Sequence, residues 1–236
     1  YNQSFNWNNF SISTSPSYNL NKNYSTINSF KEDKSYPNIT LNISSIPIPN
    51  KIKDIISSPN LTSSFRITNS RTMNIRPDNS LEITTSYLRD FSPLIQTSIS
   101  VKDGTSISIT YNNRKQISKF EDYRDAQSIN NSNDLTFTLS RVITPSDNFP
   151  LVSNLRSNLT VNLTYNVSSS KQITINQDNE ITDFDNYSRN FSIQGYYTFN
   201  NSINANFTIN HTRSLNKVMM TGNQNFTILI RIDIQF

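Results

Sequence analysis

The stretch that decides the fold is Asn158–Ser168, "NLTVNLTYNVS". Leu159, Val161, Leu163, Tyr165 and Val167 are apolar, and Asn158, Thr160, Asn162, Thr164 and Asn166 between them are polar. Side chains alternate faces along a β-strand, so this segment predicts a strand with one greasy side and one amide/hydroxyl side. It also holds three Asn-x-Ser/Thr triplets, which read alone are acceptors for N-glycosylation. Such triplets arise unaided when every second residue is drawn from Asn, Thr and Ser. They recur in "PNITLNIS" (37–44), "SRNFSIQ" (188–194) and "ANFTINHT" (205–212).

The alternation spreads outward from there. In "FTILIRIDIQF" (226–236), Phe226, Ile228, Ile230, Ile232, Ile234 and Phe236 oppose Thr227, Arg231, Asp233 and Gln235, with Leu229 as the exception. Ile203, Ala205, Phe207 and Ile209 oppose Asn204, Asn206, Thr208 and Asn210. Shorter matches centre on Phe191–Phe199, Leu135–Ser140, Ser106–Tyr111 and Ile95–Val101, and weaker ones on Leu61–Thr68, Asn38–Ser44 and Phe10–Leu20. Together they predict about ten strands and no long amphipathic helix, with at most a helical turn in "PNKIKDIISSP" (49–59).

Composition narrows the class. The chain has 236 residues, 34% hydrophobic, with a net charge of +4 and a mean hydropathy of -0.55. It has no cysteine, so there is no disulfide framework or thiolate metal site. No run reaches the ~18 apolar residues of a membrane helix. Lys and Arg are scattered rather than striped, which argues against nucleic acid as a partner. Twenty-five Phe and Tyr residues and a strict period of two argue against disorder. The chain begins at Tyr1 with no visible leader, which suggests a piece of something longer.

Two features turn a β-rich domain into a membrane expectation. The links "KDG" (102–104), 200–202, "ITPSDNFP" (143–150) and "IPIPNKIKDIISSP" (46–59) fall at one end of the sheet, and longer polar links are expected at the other, around 21–36, 71–90, 116–132, 169–189 and 214–223. Short turns on one side and long links on the other are the asymmetry of outer-membrane barrels. The strands are about the 9–11 residues a tilted membrane strand needs. The expected fold is therefore all-β: an antiparallel transmembrane β-barrel segment of about ten strands spanning residues 1–236, in the bacterial outer membrane.

On this reading Asn158, Thr160, Asn162, Thr164, Asn204, Asn206, Asn210, Arg231 and Asp233 face a wet lumen. Val161, Leu163, Phe207, Ile228, Ile230 and Ile232 face lipid. Phe236, an aromatic at the last position, reads as an assembly signal. No enzyme chemistry is expected, nor any cofactor or metal. His211 is the single histidine and ends an alternating strand. Gly104, Gly195 and Gly222 form no phosphate loop. The acidic run "QDNEITDFD" (177–185) lacks an EF-hand's spacing and turn glycine, and reads as a solvated outer loop.

Four segments carry a family resemblance. "DFSPLIQTSISVKDGTSISITYN" (90–112) resembles a recurring unit in the C-terminal region of the SprA/Sov family, the outer-membrane translocon of type IX secretion; "NLRSNLTVNLTYNVSSSK" and "NFSIQGYYTFNNSINANFTINHTRS" (154–171 and 190–214) resemble its closing hairpins in the same order, and "LNISSIPIPNKIKDII" (41–56) its Pro- and Lys-containing periplasmic connections. The chain departs from the family in its low glycine content. The resemblance implies the closing part of a very large barrel that conducts secreted proteins. It also implies partners: outer-membrane lipid, secreted protein cargo, other subunits of a secretion complex and the rest of a larger barrel chain. A smaller porin, transporter or lipopolysaccharide-assembly barrel, and a glycosylated surface adhesin, are the alternative readings.

Overall fold

The computed structural model describes residues 3–7, 10–14, 16–26, 29–44, 46, 48–51, 53, 55–57, 59–75, 80–121, 126–144, 157–176, 179–200 and 203–234. They form one antiparallel sheet of twelve strands. The strands are β1 Gln3–Trp7, β2 Phe10–Thr14, β3 Ser17–Thr26, β4 Ser29–Ser44, β5 Asn60–Ile75, β6 Leu81–Ser100, β7 Thr105–Glu121, β8 Ala126–Ile143, β9 Leu159–Asn176, β10 Asn179–Asn200, β11 Ile203–Asn216 and β12 Thr221–Ile234. From β4 onward each strand pairs with the next in sequence. Two short strands share one edge of β4: β2 pairs with Leu41–Ser44 and β3 with Ser29–Asn38. The sheet begins at β1 and ends at β12, and those two do not pair, so it is open.

The all-β antiparallel expectation holds. The segment at 49–59 forms turns rather than a helix among its described residues. It lies against the β6–β7 turn instead: Ser57 N donates to Ser100 O at 2.7 Å, and Lys102 N to Ile55 O at 2.9 Å.

The polar links expected around 21–36, 71–90, 116–132, 169–189 and 214–223 are corrected by the structure. Almost all of the described residues among them are strand. β9 runs to Asn176 and β10 starts at Asn179; β11 runs to Asn216 and β12 starts at Thr221. The physical reason is that these stretches are largely polar on both faces, so little alternates, yet their backbone still pairs with neighbouring strands in the ladder. The expected asymmetry of link lengths is therefore not found among the described residues; what is long on that side is the strands. On β7 the apolar positions Ile107, Ile109 and Tyr111 lie close to the 102–104 turn, and residues 112–121 continue as strand beyond them, roughly 30 Å of polar ribbon.

There is almost no core. Among the described residues the buried apolar side chains are Ala126 and Ile143. A water-soluble sheet hides its greasy face against a second layer. Here none is present among the described residues.

Candidate functional site

The register turns the alternation into two continuous surfaces, because directly paired residues point to the same side of a sheet. One row runs Ile228, Ile209, Ile193, Leu163, Leu139, Ile107, Ile99 across seven strands. The next runs Phe226, His211, Phe191, Tyr165, Phe137, Ile109, Thr97, Leu61, Ile43. These rows form an apolar face. On its outermost strand, Ile230 is 70% exposed and Ile232 60%.

The opposite face is amide and hydroxyl. Asn225, Thr212, Asn190, Asn166, Thr136, Thr110, Gln96, Thr62 and Asn42 form one row over nine strands. Hydrogen bonds cross between the strands. Asn166 Nδ2 donates to Asp134 Oδ1 at 2.7 Å and Thr136 Oγ1 at 2.9 Å. Ser140 Oγ donates to Asn162 Oδ1 at 2.6 Å, and Thr212 Oγ1 to Asn190 Oδ1 at 3.0 Å. The Asn166 amide nitrogen is thus engaged within the sheet, in mid-strand, where a glycan would have to displace both bonds.

The residues singled out from the sequence fall on these faces as follows. Thr160, Asn162, Thr164, Asn204, Asn206, Asn210, Arg231 and Asp233 lie on the polar face, and Val161, Leu163, Phe207, Ile228, Ile230 and Ile232 on the apolar one. Asn158 immediately precedes β9. Phe236 lies outside the described residues. Arg231 Nε and Asp233 Oδ1 are 2.7 Å apart, a pair along one strand. His211 falls in an apolar row and its Nε2 is 3.0 Å from Gln224 Nε2, far from any nucleophile-and-acid arrangement. From Asn179 onward the acidic run is strand rather than loop: Asp183 sits on β10 and accepts from Gln172 Nε2 at 3.0 Å and Thr174 Oγ1 at 2.6 Å. Asp185 is 3.4 Å from Lys217 Nζ. No group of three His, Cys, Asp or Glu suited to a metal occurs among the described residues.

The register also assembles a charged ladder on the polar face. Arg66, Asp90 and Arg114 are direct neighbours on β5, β6 and β7. Arg66 Nη2 is 2.7 Å from Asp90 Oδ2, and Asp90 is the one buried charged residue among those described. Arg66 and Arg114 line a recess of about 450 Å³ that also takes in Lys31, Asp33 and Gln116. Lys31 Nζ is 3.1 Å from Asp33 Oδ2, and Ser70 Oγ donates to Asp33. Sequence reading missed this cluster because its members are 24 residues apart (114 − 90 and 90 − 66) on separate strands. The F-S-P-L segment contributes: between the pairs Phe91–Asn113 and Ile95–Tyr111, β6 spends two more residues than β7. The extra pair keeps Asp90 in phase with the polar face.

A solved transporter structure is similar in outline. It is the ferric citrate transporter FecA in its unliganded form, at a TM-score of 0.49 and 10% identity, with 96% of this chain covered. The chain spans 36% of that transporter's length. No protein-family model and no characterised protein sequence matches the chain.

At the turn end, Asp103 carries its own small network. Thr105 N donates to Asp103 Oδ1 at 3.0 Å, and Arg141 Nη1 lies 3.4 Å from Asp103 Oδ2. Hydrogen bonds from the Thr105 side chain and backbone, and then the Arg141 charge, hold the Asp103 carboxyl below its ordinary range.

Proposed function

We propose that this chain is a membrane-spanning segment of an outer-membrane β-barrel, with its apolar face against lipid and its Asn/Thr/Ser face lining a wet interior. One observation carries the reading. A single-layer sheet presents an apolar surface seven strands wide, and among the described residues nothing packs on it. Water penalises such a surface at roughly 25 cal/mol per Å². Hydrocarbon removes that cost, and a fully paired ladder removes the other cost of membrane burial, unsatisfied backbone groups.

The polar face suits an interior that stays hydrated. Its cross-strand amide and hydroxyl bonds satisfy the side chains laterally, and the ladder of Arg66, Asp90 and Arg114 places fixed charge there. The role proposed is structural and non-enzymatic: the wall of a channel.

The finer reading is a protein-conducting channel of the type IX translocon kind, whose barrel is completed by strands beyond those described. It rests on the sequence resemblance, and the open edges at β1 and β12 are compatible with it. Secreted proteins are then the cargo and the bacterial outer membrane the location. Two experiments divide the levels. Resistance of the chain to carbonate extraction, with release by detergent, supports the membrane wall, and release by carbonate alone rejects it. Capture of the native protein with a secreted cargo arrested in transit supports the translocon. A native protein that is small and passes only low-molecular-weight solutes rejects it in favour of a transporter or porin.

A further inference from the structure

Two pairs of like charges face each other directly across the sheet. Arg189 on β10 opposes Arg213 on β11, and Arg89 on β6 opposes Lys115 on β7. Like charges directly opposite each other destabilise a strand pair. Both pairs lie on the apolar face, at the long-strand side of its continuous Ile/Leu and Phe/Tyr rows, with one further apolar row, Tyr87, Ile117, Ile129 and Ile173, beyond Arg89 and Lys115. Arg189 is two residues from Phe191, and Arg89 two residues from Phe91. Lys171 on β9 falls in the same row as Lys115.

One cation of each pair, Arg189 and Arg89, is held against an aromatic ring rather than neutralised. The Arg189 guanidinium lies 5.1 Å from the Tyr187 ring centroid and its Nε donates to the Tyr187 hydroxyl. The Arg89 guanidinium lies 5.8 Å from the Phe91 ring centroid. Asp185, the nearby acid on this face, is taken by Lys217. A guanidinium fixed against an aromatic ring keeps N–H groups free for a planar, two-pronged anion contact, which phosphate oxygens match.

We propose that these two pairs are binding sites for the phosphate groups of an anionic membrane lipid, one headgroup bridging Arg189 and Arg213 and another bridging Arg89 and Lys115. The inference rests on the membrane reading above, which puts the edge of the apolar face at headgroup level. An anion between each pair converts a repulsion into two attractions. On the polar face, by contrast, the ladder interposes Asp90 between Arg66 and Arg114, so no two cations are direct partners there.

The test uses the chain in phosphatidylcholine nanodiscs doped with lipid A, whose phosphates are monoesters, and counts retained lipid A by native mass spectrometry after transfer to detergent. Wild type retains lipid A over phosphatidylcholine. Arg189→Gln/Arg213→Gln and Arg89→Gln/Lys115→Gln each lower retention by on the order of tenfold, while Arg114→Gln on the polar face does not. Equal retention by wild type and both double variants overturns the proposal. Displacement of lipid A by millimolar inorganic phosphate also overturns it, marking a free-phosphate site. A chain that does not enter pure phosphatidylcholine nanodiscs rejects the membrane reading itself, a separate outcome. Circular dichroism of each variant in phosphatidylcholine confirms that the sheet is retained.

Discussion

The ring of Phe207 occupies the space that a side chain on Gly195 would need. The two are direct partners on β11 and β10, and a Cβ on Gly195 would overlap the ring. The aromatic covers a backbone that glycine leaves bare, in the middle of the apolar face. Gly195→Val is therefore expected to expel Phe207 from its rotamer and destabilise the β10–β11 pair by about 1–3 kcal/mol. The urea midpoint of refolding in vesicles reads it. Phe207→Ala in the Gly195→Val background recovers part of the loss, since the clash is then gone.

Ile230 is on the apolar face of β12 and Thr208 on the polar face of β11, one residue from Ile230's partner Phe207. An Arg at mid-membrane on the lipid face costs about 2–4 kcal/mol. Ile230→Arg is expected to block assembly, while Thr208→Arg assembles. Heat-modifiability on a gel compares them, and equal tolerance contradicts the assignment of faces.

Asp90 is the buried acid between two arginines. Asp90→Ala leaves Arg66 and Arg114 facing each other with no acid between them. A loss of about 1–3 kcal/mol follows from the broken charged hydrogen bond, measured by denaturant midpoint. Arg114→Gln, which removes a charge with no acid bonded to it, is expected to change the midpoint little.

Asp103 titrates below its ordinary value of 3.8. A depressed folded pKa means that its bonds stabilise the β6–β7 turn above the unfolded pKa, and that this stability is lost as pH falls through the folded value. Nothing should change between pH 7 and 5. A carboxyl carbon titration by NMR is expected to place Asp103 below 3.8, moving upward in Thr105→Val. A midpoint at or above 3.8 in the wild type contradicts the network.

The fold was legible where the two faces differ in chemistry. Leu159–Val167 and Phe226–Ile234 announce strands, and the face of each residue, through alternation alone. Residues 116–121, "QISKFE", are largely polar on both sides, so no period marks them, and they fall in the link expected around 116–132 although they are strand. Register was not legible either. Whether Asp90 meets Arg114 depends on two extra residues near Pro93, and whether Arg189 meets Arg213 depends on the register shift between Thr198 and Asn200. Those are properties of pairing, which one strand's sequence does not contain. For that reason the Asn and Thr residues of the polar face could be named in advance, and the charged ladder and the like-charged pairs could not.

The central claim is that the two faces of this sheet meet different solvents. The chain has no native cysteine, so single cysteines can be placed at each position from Leu159 to Val167 on β9 in the membrane-reconstituted protein. Each is tested with a membrane-impermeant maleimide and, after labelling with a fluorophore, for quenching by brominated lipid chains. The account predicts a strict alternation: cysteines at 160, 162, 164 and 166 react with the maleimide and are not quenched, and those at 159, 161, 163, 165 and 167 are quenched and resist it. Uniform reactivity along β9, with no quenching at the odd positions, would contradict it.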